Sequence, residues 1–317
     1  MIAKAFQQLN YTSLIVSSIL LLGVSYYYTT LDIKWSFFES KILNGILVFG
    51  ALMLSNYSID TVTRQLTIER SNRNAYHLLL YPLVIFSFPL ESLDMRFILG
   101  SAAIWSAWRN TRLFIETTNN QEKIKRLLDA VLLITISSVL ILENIFILIV
   151  PIIILFVGNI KRDIKYFIII IVTPIIITPT IYVIMSFLNL DSMFFNSYLF
   201  DVSGKLEISM VNDFKVQSKF WPLILVIVYF LVAVVIKLRK TVGFQRQLLD
   251  IIGIIFFFLF IIFFLLNQSI SGSEFHYISL ILVYFIAQIF TRKINSIYVN
   301  LIFISLIASS IIFKFII

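Results

Sequence analysis

The side chains in this chain that could do chemistry are carboxylates lying in short connections between long apolar runs. Asp32 and Glu39 share the first such connection, Glu91 and Asp94 the second, Glu143 stands alone in a third, and Glu274 lies two residues before His276 in a later one. Carboxylates converging from separate connections can bind a divalent cation or act as a general base on a phosphate-linked substrate. Lys34 and Arg96, beside the first two groups, are the cations that would pair with such a phosphate. The alternative is that each acid is a solvated residue at a helix end. Glu143 stands apart because an ionisable group deep in an apolar hairpin is by default a functional-site hypothesis. Glu274 and His276 fall on one side only if the turn between them is irregular or strand-like. His77, near the end of its apolar run, reads as a packing residue.

Other chemistries find little support. The chain has no phosphate-cradling glycine loop, no GxSxG and no HExxH. Its two histidines cannot supply a four-imidazole iron centre, and the absence of cysteine removes thiolate metal sites, disulfides and cysteine nucleophiles. A net charge of +8 raises the question of nucleic acid, but no basic stretch is interleaved with stacking aromatics, so no nucleic-acid partner is expected.

The elements that must hold these groups are helices. With 60% hydrophobic residues, 13% charged residues and a mean hydropathy of +0.97, the 317-residue chain has the composition of an all-α, polytopic membrane protein from which no soluble domain can be cut. Apolar runs at about 12–30, 42–59, 75–90, 96–108, 127–142, 145–158, 166–188, 220–236, 248–267, 275–291 and 296–317 predict eleven spans. Between Leu127 and Gly158 the apolar residues overshoot one span of a ~30 Å hydrocarbon core, so a hairpin of two short helices turning at Glu143-Asn144 is expected. With the N-terminus inside, eighteen of the 25 Lys and Arg fall in cytoplasmic segments, which is the bias the positive-inside rule demands. The C-terminus is then outside, the candidate acids lie in outer connections, and the first span reads as uncleaved.

Asp60 to Arg73 and Trp108 to Asp129 mix charges with apolar residues and read as segments lying on the inner membrane surface. The long outer connection Asn189 to Lys219 divides a seven-span module (1–188) from a four-span extension (220–317). Pro82 and Pro89, and Pro174 and Pro179, interrupt helices, with Thr173, Thr178 and Thr180 placed to satisfy freed carbonyls.

Two resemblances rest on these features. From about Arg64 to Ile317 the chain resembles a family of multi-pass Bacteroidota proteins without an established function. The residues carrying it are Asn74 through Tyr81-Pro82, Phe88-Pro89 and Trp108-Arg109, then Lys125-Arg126-Leu127-Leu128-Asp129-Ala130 and Thr291-Arg292-Lys293. More distantly, two short hairpins, a full-length span and then the largest outer loop resemble the GT-C glycosyltransferases, which take sugars from a polyprenyl-phosphate carrier. That resemblance implies a base at Asp32 or Glu39 and metal or acceptor contacts at Glu91 or Asp94. It also implies a place in the bacterial inner membrane during envelope glycan assembly, among lipids and other envelope proteins. The first connection, about Leu31 to Lys41, is shorter than in that family, and a basic residue often found at the second hairpin turn is here Glu143. The other expectation is a non-catalytic membrane subunit that holds a partner of an envelope secretion or motility complex.

Overall fold

The computed structural model describes residues 6, 10–64, 75–157, 163–187, 214–238, 244–266, 272–290 and 296–312. The protein is all-α, and the described residues contain eleven α-helices. These are α1 (Tyr11–Thr30), α2 (Lys41–Arg64), α3 (Tyr76–Phe86), α4 (Met95–Glu116), α5 (Asn120–Leu140), α6 (Ile149–Val157), α7 (Ile164–Phe187), α8 (Phe214–Leu238), α9 (Phe244–Leu266), α10 (His276–Ile289) and α11 (Ser296–Ile311). They match the eleven apolar runs one for one. Among the described residues, three helices are long and apolar enough to cross a membrane: Tyr11–Thr30, Lys41–Thr63 and Ile164–Phe187. The only strands described are β1 (Asp32–Trp35) and β2 (Ser92–Asp94).

By packing, the chain divides into two compact units, neither of which is one continuous stretch. The first takes residues 1–95, 205–241 and 268–317, and the second takes 96–204 and 242–267. The boundary expected between a seven-span module and an extension falls at residues 188–213, outside the described residues. Of the outer connection expected over 189–219, the last six residues are helical and begin α8.

In the first unit α3 and α10 are the buried pair. α3 packs on α1, α2, α10 and α11, and α10 packs also on α2 and α8. Both are buried on almost every side, as a helix enclosed by others must be. Pro82 sits inside α3 without breaking it. Having no N–H, it frees the Leu78 carbonyl four residues earlier, and the Ser17 hydroxyl of α1 donates to that oxygen at 2.7 Å. Ser17 Oγ in turn accepts from Asn56 Nδ2 of α2 at 3.0 Å. One proline thus creates the acceptor that ties three helices together.

In the second unit α5 packs chiefly on α7. Leu127 and Val131 of α5 meet Phe114, Tyr166, Ile170 and Leu249 in a closed apolar cluster, with the Phe114 and Tyr166 rings edge to face at 5.3 Å. The hairpin forms where expected, but its arms are unequal. α5 begins at Asn120, whose predecessor Asn119 caps it by accepting from the Gln121 amide at 3.0 Å. The return arm starts as a 3-10 segment, Leu142–Leu148, before α6. The surface segment expected from Trp108 to Asp129 is therefore not a separate element. With no Pro or Gly to stop it, α4 runs on through Arg109 and Arg112 to Glu116, and α5 starts four residues later. Likewise Asp60 is not on a surface segment, since it lies inside α2 and is 5% exposed. In α7 the expected rescue of proline-freed carbonyls by threonine takes another form: Thr180 donates to Ile176 at 2.7 Å, the residue one turn behind it, and not to the carbonyls freed by Pro174 or Pro179.

Candidate functional site

The connection after α1 is short but well built. Along β1 the side chains alternate, with Asp32 and Lys34 exposed and Ile33 and Trp35 half-buried, as a one-sided strand requires. Asn44, in the first turn of α2 and fully buried, clamps the end of the connection. Its Oδ1 accepts from the Phe38 amide at 3.1 Å and its Nδ2 donates to the Phe38 carbonyl at 2.7 Å.

β1 pairs in parallel with β2, Asp32 opposite Ser92 and Trp35 opposite Asp94. A third connection locks onto this pair. Gly272 adopts φ +84°, where a Cβ would overlap the Pro89 carbonyl oxygen and stand 2.8 Å from Leu90 Cα. Only glycine lets the chain come this close with that backbone angle. The next residue, Ser273, accepts from the Asp94 amide at 3.0 Å and donates to the Ser92 carbonyl at 3.2 Å. Three connections far apart in sequence, 31–40, 87–94 and 272–275, therefore meet at one end of the first unit.

This knot sorts the expected site residues. Asp32, Lys34, Glu39 and Glu91 are exposed around it. Asp94 (0%), Glu274 (4%) and His276 (1%) are buried. Glu274 sits in a 3-10 turn, Ser273–Phe275, and His276 opens α10 directly after it. The His276 ring stands edge-on to Tyr28 at 5.7 Å and to Phe88 at 5.5 Å. The structure thus joins the Asp94 backbone to the Ser273–His276 turn, while the exposed acids lie on the rim. Arg96 (8% exposed) and half-buried Glu143 belong to the second unit. There the hairpin turn is anchored by Asn144, whose Nδ2 donates to the Ser137 hydroxyl at 2.8 Å and carbonyl at 3.2 Å.

Among the described residues no three His, Asp or Glu side chains gather in a group that could hold a metal ion.

Beside the knot, between α1 and α2, runs an open groove of about 610 Å³. Leu22, Tyr26, Ile42, Ile46 and Phe49 give it apolar walls, and Thr29, Thr30 and Lys41 stand at its strand end. Gly45 makes the groove possible: Ser25 donates to its carbonyl at 2.7 Å, and a Cβ there would meet Thr29 Cγ2 at 3.2 Å.

Sequence reasoning missed a second polar centre at the other end of α3. His77 Nε2 and Asp60 Oδ1 are 2.8 Å apart, with side chains 3% and 8% exposed. The signal was Asn56 and Asp60 at i, i+4 inside an otherwise apolar run, which puts two polar groups on one helix face.

The fold and site define an all-α protein with, among the described residues, three helices of membrane-crossing length and a strand-pinned knot of connections. The chain matches no family model, no curated protein and no solved structure.

Proposed function

We propose that this chain is a multi-pass protein of the bacterial inner membrane that holds a polyprenyl-phosphate carrier at its outer face during envelope glycan assembly. The observation carrying the proposal is the groove between α1 and α2. Its apolar walls suit an isoprenoid chain. The Lys41 ammonium at the strand end suits the phosphate, and Thr29 and Thr30 line the groove with it.

Membrane insertion is supported by α7, which is apolar throughout yet exposes Ile168, Ile171, Ile175 and Ile176 to more than half their full extent. A helix apolar all round and uncovered by protein is stable in lipid. The topology draws support from the knot, because the three connections it joins are ones that the Lys/Arg distribution assigns to the outer side.

In a catalytic form, exposed Asp32 is the general base beside the carrier, as the GT-C resemblance implies. A specific observation favours the non-catalytic alternative: Asp94 and Glu274 are buried in the knot and do not line the groove.

Protein in nanodiscs, titrated with a polyprenyl phosphate and followed by native mass spectrometry, tests carrier binding. Lys41→Gln weakens binding by about tenfold, equivalent to ~1.4 kcal/mol. Lys41→Arg preserves it, and Gly45→Leu blocks it by filling the groove. Wild-type affinity in both Lys41→Gln and Gly45→Leu removes the groove from the account. Envelope glycan assembly in Asp32→Asn cells separates the two forms: loss with carrier binding intact marks an enzyme, and full assembly marks a carrier-holding subunit.

A further inference from the structure

In the first unit a line of polar groups runs along α3. Among the described side chains of α1, α2, α3, α10 and α11, the only Asp, Glu, Lys or Arg are Lys41, exposed at the strand end, and Asp60. Asp60 meets His77 at 2.8 Å, both buried. One turn along α3, Tyr81 is fully buried and hydrogen-bonded to Ser55 of α2. One turn further, the Ile85 carbonyl accepts from the Tyr28 hydroxyl at 3.0 Å. His77, Tyr81 and Ile85 are spaced i, i+4, i+8, so these rungs share one helix face about 6 Å apart. The Tyr28 ring meets His276, which follows Glu274 in the knot. The other titratable groups buried on these helices are tyrosines: Tyr76 on α3, with Tyr277 and Tyr284 on α10.

A carboxylate and an imidazole are expensive to bury among apolar helices, and such pairs in membranes mark ion or proton pathways. Asp60, His77, Tyr81, Tyr28, His276 and Glu274 can each hold or exchange a proton, and they run from the Asp60–His77 pair at one end of α3 to the knot at the other.

We propose that the first unit conducts protons across the membrane along this face of α3. Asp60 takes a proton from the cytoplasmic side and passes it to His77 Nε2 across their hydrogen bond. The Tyr81 and Tyr28 hydroxyls each accept one proton as they release another, with a water bridging each interval. His276 and Glu274 deliver the proton to the knot on the outer side. One proton moves per step, no electron is transferred and no bond other than to hydrogen changes. The proposal shares the membrane-spanning reading with the carrier function but uses neither the groove nor Lys41.

The test is proton uptake by liposomes containing the full chain, driven by a valinomycin-set potassium potential and read with a pH-sensitive dye, after flotation confirms membrane insertion. Flotation failure sinks the membrane reading itself. Given flotation, wild-type liposomes take up protons several-fold faster than empty ones. Asp60→Asn and His77→Gln abolish the excess, Tyr81→Phe cuts it several-fold, and Ser18→Ala, whose hydroxyl donates only to Leu14 within α1 and lies off the line, leaves it unchanged. Tyr81→Phe removes a single oxygen, so it decides the matter should Asp60→Asn fail to fold. Wild-type liposomes no faster than empty ones, or a folded Tyr81→Phe variant conducting like wild type, overturns the proposal.

Discussion

Gly272 and Ser17 show how single residues hold the first unit together. Gly272→Ala forces a Cβ into a left-handed backbone, which costs about 1–2 kcal/mol from φ alone, and presses it on Pro89 and Leu90. A fall in thermal midpoint is expected, and an unchanged midpoint in a melting series would mean that the turn relaxes away from β2. Ser17→Ala strips the Leu78 carbonyl of its donor and Asn56 of its acceptor, a loss of roughly 1–3 kcal/mol for buried polar groups. In a Pro82→Ala background the restored amide satisfies Leu78, so the same Ser17→Ala change costs less there. A double-mutant cycle measures the difference, and strict additivity would refute the proline-driven account. Sequence alone pointed to Pro82 but not to its partner, because Ser17 lies 61 positions from Leu78 and serine is common in apolar helices. For the same reason Asp60 and His77 went unpaired. By sequence each has a local role, Asp60 interfacial and His77 packing, while the contact joins two helices.

At the scale of elements, the eleven apolar runs were legible because each is bounded by charge, proline or a polar turn, and periodicity needs no tertiary information. The helix ends were less so. Arg109, Arg112 and Glu116 look like a surface segment by composition, yet α4 simply continues through them, and Arg112 pairs with Glu116 one turn on at 3.3 Å. The strand pair was illegible, since a four-residue and a three-residue strand from different connections carry no pairing signal. The α5 hairpin yields a direct prediction. Its Glu143 turn lies at the end of α5 opposite the Asn119 cap, so a cysteine at Glu143 should react with an impermeant thiol reagent from outside and one at Lys123 should not. Outside labelling at Lys123 would contradict the eleven-span topology. Replacing Asn144 by Ala removes both of its bonds to Ser137 and should lower stability by roughly 1–3 kcal/mol. A denaturation midpoint matching wild type would show that the turn does not depend on this anchor.

At the scale of the whole chain, packing in the first unit joins three connections that the Lys/Arg distribution leads one to expect on one side. The acids expected to converge there divide instead between an exposed rim (Asp32, Glu39, Glu91) and a buried knot (Asp94, Glu274). Sequence could place these acids at helix ends but not rank their burial, because burial of Asp94 depends on a turn about 180 residues away, at Ser273. The groove was likewise invisible, since it depends on Gly45 letting α1 and α2 approach closely. The most direct measurement of the central claim is an electron cryomicroscopy map of the protein in nanodiscs containing a polyprenyl phosphate. The account predicts elongated density between α1 and α2, ending in a phosphate peak beside Lys41. An empty groove at saturating carrier, or a companion chain covering it, would contradict the claim.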